Sequence, residues 1–159
     1  YNIIRPSNVY GPGQIPFRGQ GIIATALGAA ISHSSISIFG TGDNVRDYIY
    51  IDDFCNWLVA LSVKGKAREI YNAGSGRGYS IFEITSVIQS ILSPEKHILH
   101  LQHLPDRPFD VKKNVLDNKK IVATTGFGAV TELNAGIKQT YKWIQEFMAT
   151  DKIGSRNSN

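Results

Sequence analysis

The stretch FGTGDNVRDYIYIDD, Phe39 to Asp53, carries a strand end, a turn, a second strand and the start of a helix within one line. The apolar run SISIF closes at Gly40, GTGDN turns the chain, DYIYI alternates as a strand does, and Asp52 or Asp53 can cap the helix that follows. Phe54, Trp57, Leu58 and Leu61 then recur at helical spacing. In the alternating run, Tyr48 and Tyr50, or Ile49 and Ile51, share one buried face. Arg46 stands between turn and strand. A guanidinium there can offer a planar fork of donors to a phosphate, or pair at the surface with Asp47 beside it.

Outward from this stretch the same alternation of strand and helix continues, which makes the chain an α/β protein. On the N-terminal side, YNIIRPSNVYGPG opens with an apolar strand that has no starter methionine and no leading turn, so the chain is expected to begin mid-fold as part of a longer protein. GQGIIATALGAAIS reads as a low-charge helix. On the C-terminal side, REIYNAG is a strand running into the glycine-rich GSGRG, and Ser80 with Glu83 forms a capping box. Ile84, Val87, Ile88, Ile91 and Leu92 mark one apolar stripe. KHILHLQHL reads as a strand, PDRPFD as a kinked loop, and VTELNAGIKQTYKWIQEFM as the last helix, with Thr131 as its cap and Leu133, Ile137, Tyr141, Ile144 and Met148 on one side. Residues 151–159 read as a disordered polar tail.

Composition narrows the function classes. Of 159 residues, 42% are hydrophobic and 19% charged, a globular balance with room for one core or two small lobes. No run of about 18 apolar residues exists and no signal-peptide pattern opens the chain, so the expectation is a cytoplasmic protein without a membrane partner. The net charge of +4 comes from lysine pairs scattered along the chain, without interleaved aromatics, which argues against nucleic acid. Cys55 lies in an apolar periodic run and reads as a core thiol. Trp57 and Trp143 read as core. His97, His100 and His103 do not suggest a metal site, because in a strand His100 faces away from the other two.

Two features point to a ligand. GSGRG, between a strand and a capped helix, can hold an anion on its backbone N–H groups or simply make the turn; it has neither the dinucleotide fingerprint nor the phosphate-loop lysine. Arg107, held between two prolines in PDRPFD with Asp110 three residues on, supplies a second fork and a carboxylate. Arginine and acid together suit a ribose diphosphate, the fork taking phosphate and the acid accepting from sugar hydroxyls.

RPSNVYGP (Arg5–Pro12), FGTGDNVRDYIYIDD, EIYNAGSG and RPFDVKKNVLD, in this order, resemble the C-terminal half of the extended short-chain dehydrogenase/reductase family. The resemblance runs from Tyr1 to about Met148 and is nearest to NAD-dependent nucleotide-sugar epimerases of the UDP-glucose 4-epimerase type. It implies a fragment of a Rossmann-like parallel sheet, residues 1–12 and 68–92, and a small mixed α/β substrate-binding lobe, residues 13–67 and 93–150. By the same resemblance Pro6 and Ser7 touch the nicotinamide end of NAD. Asn8, Arg46 and Arg107 hold the diphosphate of a UDP-sugar, and Asp110 lies near the ribose. Relatives carry an asparagine opening the helix after the Gly-Pro step, where this chain reads RGQGII and Gln20 is the candidate substitute. The implied parent is a homodimeric isomerase, with a dehydratase or decarboxylase of the same family as the alternative and a non-catalytic nucleotide-binding module as the other class. The family's proton-transfer pair is a tyrosine with a lysine four residues on, and no tyrosine of this chain has that partner, so no catalytic residue is expected here.

Overall fold

The computed structural model describes residues 1–95 and 97–156. Along the chain run β1 (Ile3–Pro6), β2 (Asn8–Tyr10), α1 (Ile22–Ile31), β3 (Ser35–Phe39), β4 (Val45–Tyr50), α2 (Ile51–Lys64), β5 (Ile70–Ala73), β6 (Gly78–Ser80), α3 (Ile81–Leu92), a 3₁₀ turn at Ser93–Glu95, β7 (His100–Leu104), β8 (Lys113–Asn114), α4 (Lys119–Thr125) and α5 (Leu133–Arg156).

The first strand and the REIYNAG strand do pair in parallel, with Ile3 opposite Ile70 and Pro6 opposite Ala73. A second sheet centres on β4. Its C-terminal half pairs in parallel with β2, Asn8 opposite Tyr48, while its N-terminal half pairs antiparallel with β6 and parallel with β8. β3 and β7 make a separate parallel pair, Ser35 opposite His100. Parallel neighbours need crossover connections, and α1, α2 and α3 supply them.

Two apolar cores flank β4, because the strand buries both faces. Tyr48 and Tyr50 join Tyr10, α1, α3 and α5 in one core, and Ile49 joins Trp57, Leu61, Tyr71 and Ile121 in the other. The two alternatives for the DYIYI face are therefore both realised, except that Ile51 already begins α2. α1 is buried almost all round through Ile23, Ala24, Ala26, Leu27, Ala29 and Ala30, and its small alanines let α3 and α5 pack closely on it. α3 turns Ile84, Ile88 and Leu92 into that same core, and thus packs on α1 and α5 although its sequence position follows the sheet strand β5.

Several local expectations change. The buried stripe of α2 runs through Asp53, Trp57 and Leu61, at steps of four residues. Cys55 points away from it and is exposed, and Leu58, one residue past Trp57, is 41% exposed. Neither Asp52 nor Asp53 caps α2, which begins after Tyr50 without a side-chain cap. Asp53 is buried instead and accepts from Thr131 N–H at 2.9 Å, so Thr131 is tied to α2 while α5 starts at Leu133. The β7 strand starts only at His100. His97, ahead of it, meets the Tyr141 hydroxyl at 2.7 Å, and His103 meets Gly40 O at 3.0 Å. Trp57 is core and donates to Phe127 O at 3.0 Å, whereas Trp143 is half-buried and stacks on Phe147. The last helix extends through Arg156, since no proline interrupts its backbone; the remaining tail, 157–159, lies outside the described residues. Among the described residues, no helix is long and apolar enough to cross a membrane.

Candidate functional site

Asn8 begins β2, and its Nδ2 donates to the backbone carbonyl of Asp47 at 2.8 Å, which fixes the amide against the neighbouring strand. It lines a cavity of about 740 Å³ together with Ser7, Gln14, Gln20 and Tyr48. A second cavity of about 520 Å³ is lined by Ser37, Phe39, Asn44, Phe17 and Asp110. The two adjoin, because Gln20, Gly21, Ile22 and Ile81 form walls of both.

The shared wall is the N-terminus of α1. Gly21 caps that helix in the left-handed region, at φ 84°, and no side chain bonds to its first-turn N–H groups. These uncapped N–H groups and the positive end of the helix dipole make a place for an anion between the cavities. Gln20, the expected substitute for the asparagine of the resembled family, lines both cavities.

Arg107 and Asp110 reach the second cavity differently. Asp110 lines it directly, and its N–H closes a turn on Arg107 O at 3.0 Å. The Arg107 guanidinium lies 3.3 Å above the centre of the Phe39 ring, a cation–π contact with a ring that belongs to the cavity wall. Asp106, next to Arg107, accepts from Lys112 Nζ at 3.0 Å, and that bond holds its carboxyl below the usual carboxylate range. Arg46 stands outside the lining of both cavities; its Nη1 donates to Val45 O at 2.9 Å. Strand alternation nevertheless puts it on the face of β4 that carries Tyr48, the residue opposite Asn8.

Of the pair expected at the cofactor, Ser7 lines the first cavity and Pro6 does not. Ser7 Oγ is buried without a hydrogen-bond partner, an orphan that the carboxamide of a nicotinamide can satisfy. The glycine loop is another matter. Ser75 and Gly76 N–H groups both donate to the Asp47 carboxylate, at 2.9 and 3.2 Å, so GSGRG holds an internal anion rather than an external one. Asp47 is thereby no surface partner of Arg46: it is 1% exposed.

The phenols around the cavities are all driven toward their neutral form. Burial pushes the Tyr48 hydroxyl up to about 12, against the opposing charge of Arg46. Tyr10, which lines the first cavity and meets Tyr50 edge to face at 5.7 Å, is raised further, chiefly by burial and then by Tyr50 and Asp53. Sequence reasoning missed Phe39, Asn44, Gln14 and Asp47 as parts of this region. Three of them stand inside the stretch from Phe39 to Asp53, and the period-two rule that sends Arg46 to one face sends Asp47 to the other.

Known proteins resemble this chain over most of its length. The model of the NAD dependent epimerase/dehydratase family matches residues 1–74. The UDP-glucose 4-epimerase of Mycolicibacterium smegmatis is 29% identical over 143 residues, covering 89% of this chain and 44% of that protein. The dTDP-glucose 4,6-dehydratase of Escherichia coli is 28% identical over 142 residues, covering 86% of this chain and 38% of that protein. A crystal structure of the Thermotoga maritima UDP-glucose 4-epimerase with UDP-glucose matches at a TM-score of 0.83 and 30% identity, covering 93% of this chain and 47% of that one. The chain thus spans less than half the length of these relatives. Its α/β architecture with parallel strand pairs is that of the Rossmann-like extended short-chain dehydrogenase/reductases, and its first 74 residues are similar to the NAD dependent epimerase/dehydratase family.

Proposed function

We propose that this chain is the sugar-nucleotide-gripping part of an NAD-dependent epimerase that interconverts UDP-glucose and UDP-galactose, or a related UDP-sugar, by oxidation and reduction at C4. The observation that carries the reading is the pair of adjoining cavities across the uncapped start of α1. A nucleoside fits the cavity walled by Phe39 and Asn44, with Asp110 accepting from a ribose hydroxyl. The diphosphate then spans the helix N-terminus, within the reach of Asn8, Arg46 and Arg107, and the sugar enters the larger cavity beside Ser7, Gln14 and Tyr48.

In this reading residues 1–12 and 68–92 belong with the cofactor-binding sheet, residues 13–67 and 93–150 cover the substrate, and α3 packs across from one to the other. Pro6 and Ser7 meet only the nicotinamide end of NAD, whose remainder is assigned to the N-terminal half of the whole enzyme, and the Ser75 and Gly76 N–H groups are taken by Asp47. NAD, when bound, supplies the hydride acceptor and donor for the sugar carbon. The chain's own residues orient the sugar, neutralise the diphosphate and keep the sugar held between the two hydride transfers. Proton transfer is assigned to residues outside positions 1–159, since no tyrosine here has a lysine four residues on. The whole enzyme is read as a cytoplasmic homodimer. A dehydratase of the same family is the second reading, favoured by the similarity to the Escherichia coli enzyme.

Calorimetry with UDP and a coupled NADH assay for UDP-glucose formed from UDP-galactose test the proposal together. The 159-residue chain is expected to bind UDP and to turn over no sugar by itself. Turnover by the purified chain overturns the assignment of the chemistry, and failure to bind UDP overturns the grip.

A further inference from the structure

Asp47 collects more partners than any cavity-lining residue. Its Oδ1 accepts from Ser75 N–H at 2.9 Å and from Ser75 Oγ at 2.7 Å. Its Oδ2 accepts from Gly76 N–H and Leu116 N–H, each at 3.2 Å. Gly74 stands so close to Oδ2 that a Cβ there would collide with it. A carboxylate this buried is costly unless donors surround it, and four donors from two distant segments do so here.

The same residue is bound from the other side of its backbone, where its carbonyl accepts from Asn8 Nδ2 at 2.8 Å. Two residues earlier, Val45 N–H donates to Lys112 O at 2.8 Å, so β4 and the Lys112–Leu116 run are pinned at both ends. That run continues directly from the segment carrying Arg107 and Asp110. Asn8 thus meets the peptide group of Asp47, while the loop at Ser75 and Leu116, six residues past Asp110, meet its side chain. Asp47 itself lines neither cavity, so any effect on a ligand passes through these others.

We infer that Asp47 is a positioning residue, which holds Asn8 and the Arg107–Asp110 segment in mutual register for a nucleoside diphosphate. The inference rests on the nucleotide-sugar reading above. It separates from a purely structural role by what it does to selectivity: loss of register weakens the grip on the diphosphate, met by Asn8 and Arg107, more than the grip on the nucleoside, met by Asp110 alone of the groups it positions.

Titration calorimetry of the full chain with UDP and with uridine tests this. Asp47→Asn removes the charge while keeping the shape, and is expected to weaken UDP about tenfold and uridine by a smaller factor, about threefold or less. Ser75→Ala takes away one donor to Oδ1 and is expected to lower the UDP-to-uridine preference in the same direction by a smaller factor. Thermal unfolding is measured alongside. Folded Asp47→Asn chain with the wild-type preference overturns the inference, as does a parallel loss of both ligands. If Asp47→Asn does not fold, an unchanged preference in Ser75→Ala overturns it and a reduced one supports it. A wild-type chain that binds neither ligand overturns the nucleotide reading and this inference with it, whereas a UDP-selective wild type with unchanged variants overturns this inference alone.

Discussion

Arg46 and Asp47 are adjacent, yet β4 sends them to opposite faces, Arg46 to the face of Tyr48 and Asp47 among the donors of Ser75, Gly76 and Leu116. If Arg46 grips a phosphate through its fork, Arg46→Lys is expected to weaken UDP by about 1 to 3 kcal/mol, because a point charge cannot replace a bidentate pair. Calorimetry of the two chains checks it. Tyr48 makes a different prediction on the same strand. Burial lifts its phenol from an ordinary 10.0 to about 12, so the unfolded chain gives up that proton first. The contribution of Tyr48 is therefore complete below pH 10 and is lost as pH rises toward 12, at about 1.4 kcal/mol per pH unit within that window. Urea denaturation of the wild type and Tyr48→Phe should differ in their pH slope there, with the shallower slope in the variant. Equal slopes would mean that the hydroxyl is not held neutral by the fold.

At the scale of elements, α5 meets the site through Gly136. A Cβ there would strike the Tyr10 hydroxyl and the Tyr50 ring, so Gly136→Ala should destabilise the chain by about 1 to 3 kcal/mol despite the better helix propensity of alanine. A thermal or urea midpoint that rises instead would show that Tyr10 yields freely. What was legible in the sequence at this scale was local. The capping box is present as read, with Glu83 N–H donating to Ser80 Oγ at 3.1 Å and Ser80 N–H to Glu83 Oε2 at 2.7 Å. The parallel pairing of β1 with β5 was legible only through the family resemblance, since a short apolar run does not by itself name its partner strand. Contacts made across the chain were not. Asp53 reads as a helix cap from its neighbours alone, and only folding brings Thr131 N–H to it from 78 residues away. Cys55 likewise reads as core until the position of Trp57 fixes which side of α2 is inward.

Across the whole molecule, β4 is the central strand: it separates the two apolar cores, pairs with β2 beside Asn8, and receives β8, which follows the Arg107–Asp110 segment. The site residues named from sequence gather only in part. Ser7 and Asn8 share one cavity, Asp110 lines the next, Arg107 covers Phe39, and Pro6 and Arg46 stand aside. Motif order could show which residue types were available for a diphosphate; it could not show that the α1 N-terminus lies between them, since that depends on how α1 packs against α3 and α5. The most direct test of the account is a crystal structure of this chain with UDP-glucose. The account predicts the base against Phe39, the diphosphate at the start of α1 beside Asn8, and Arg107 turned from the Phe39 ring toward phosphate. Ligand bound elsewhere, with Arg107 still over Phe39 and nothing at the α1 N-terminus, would contradict it.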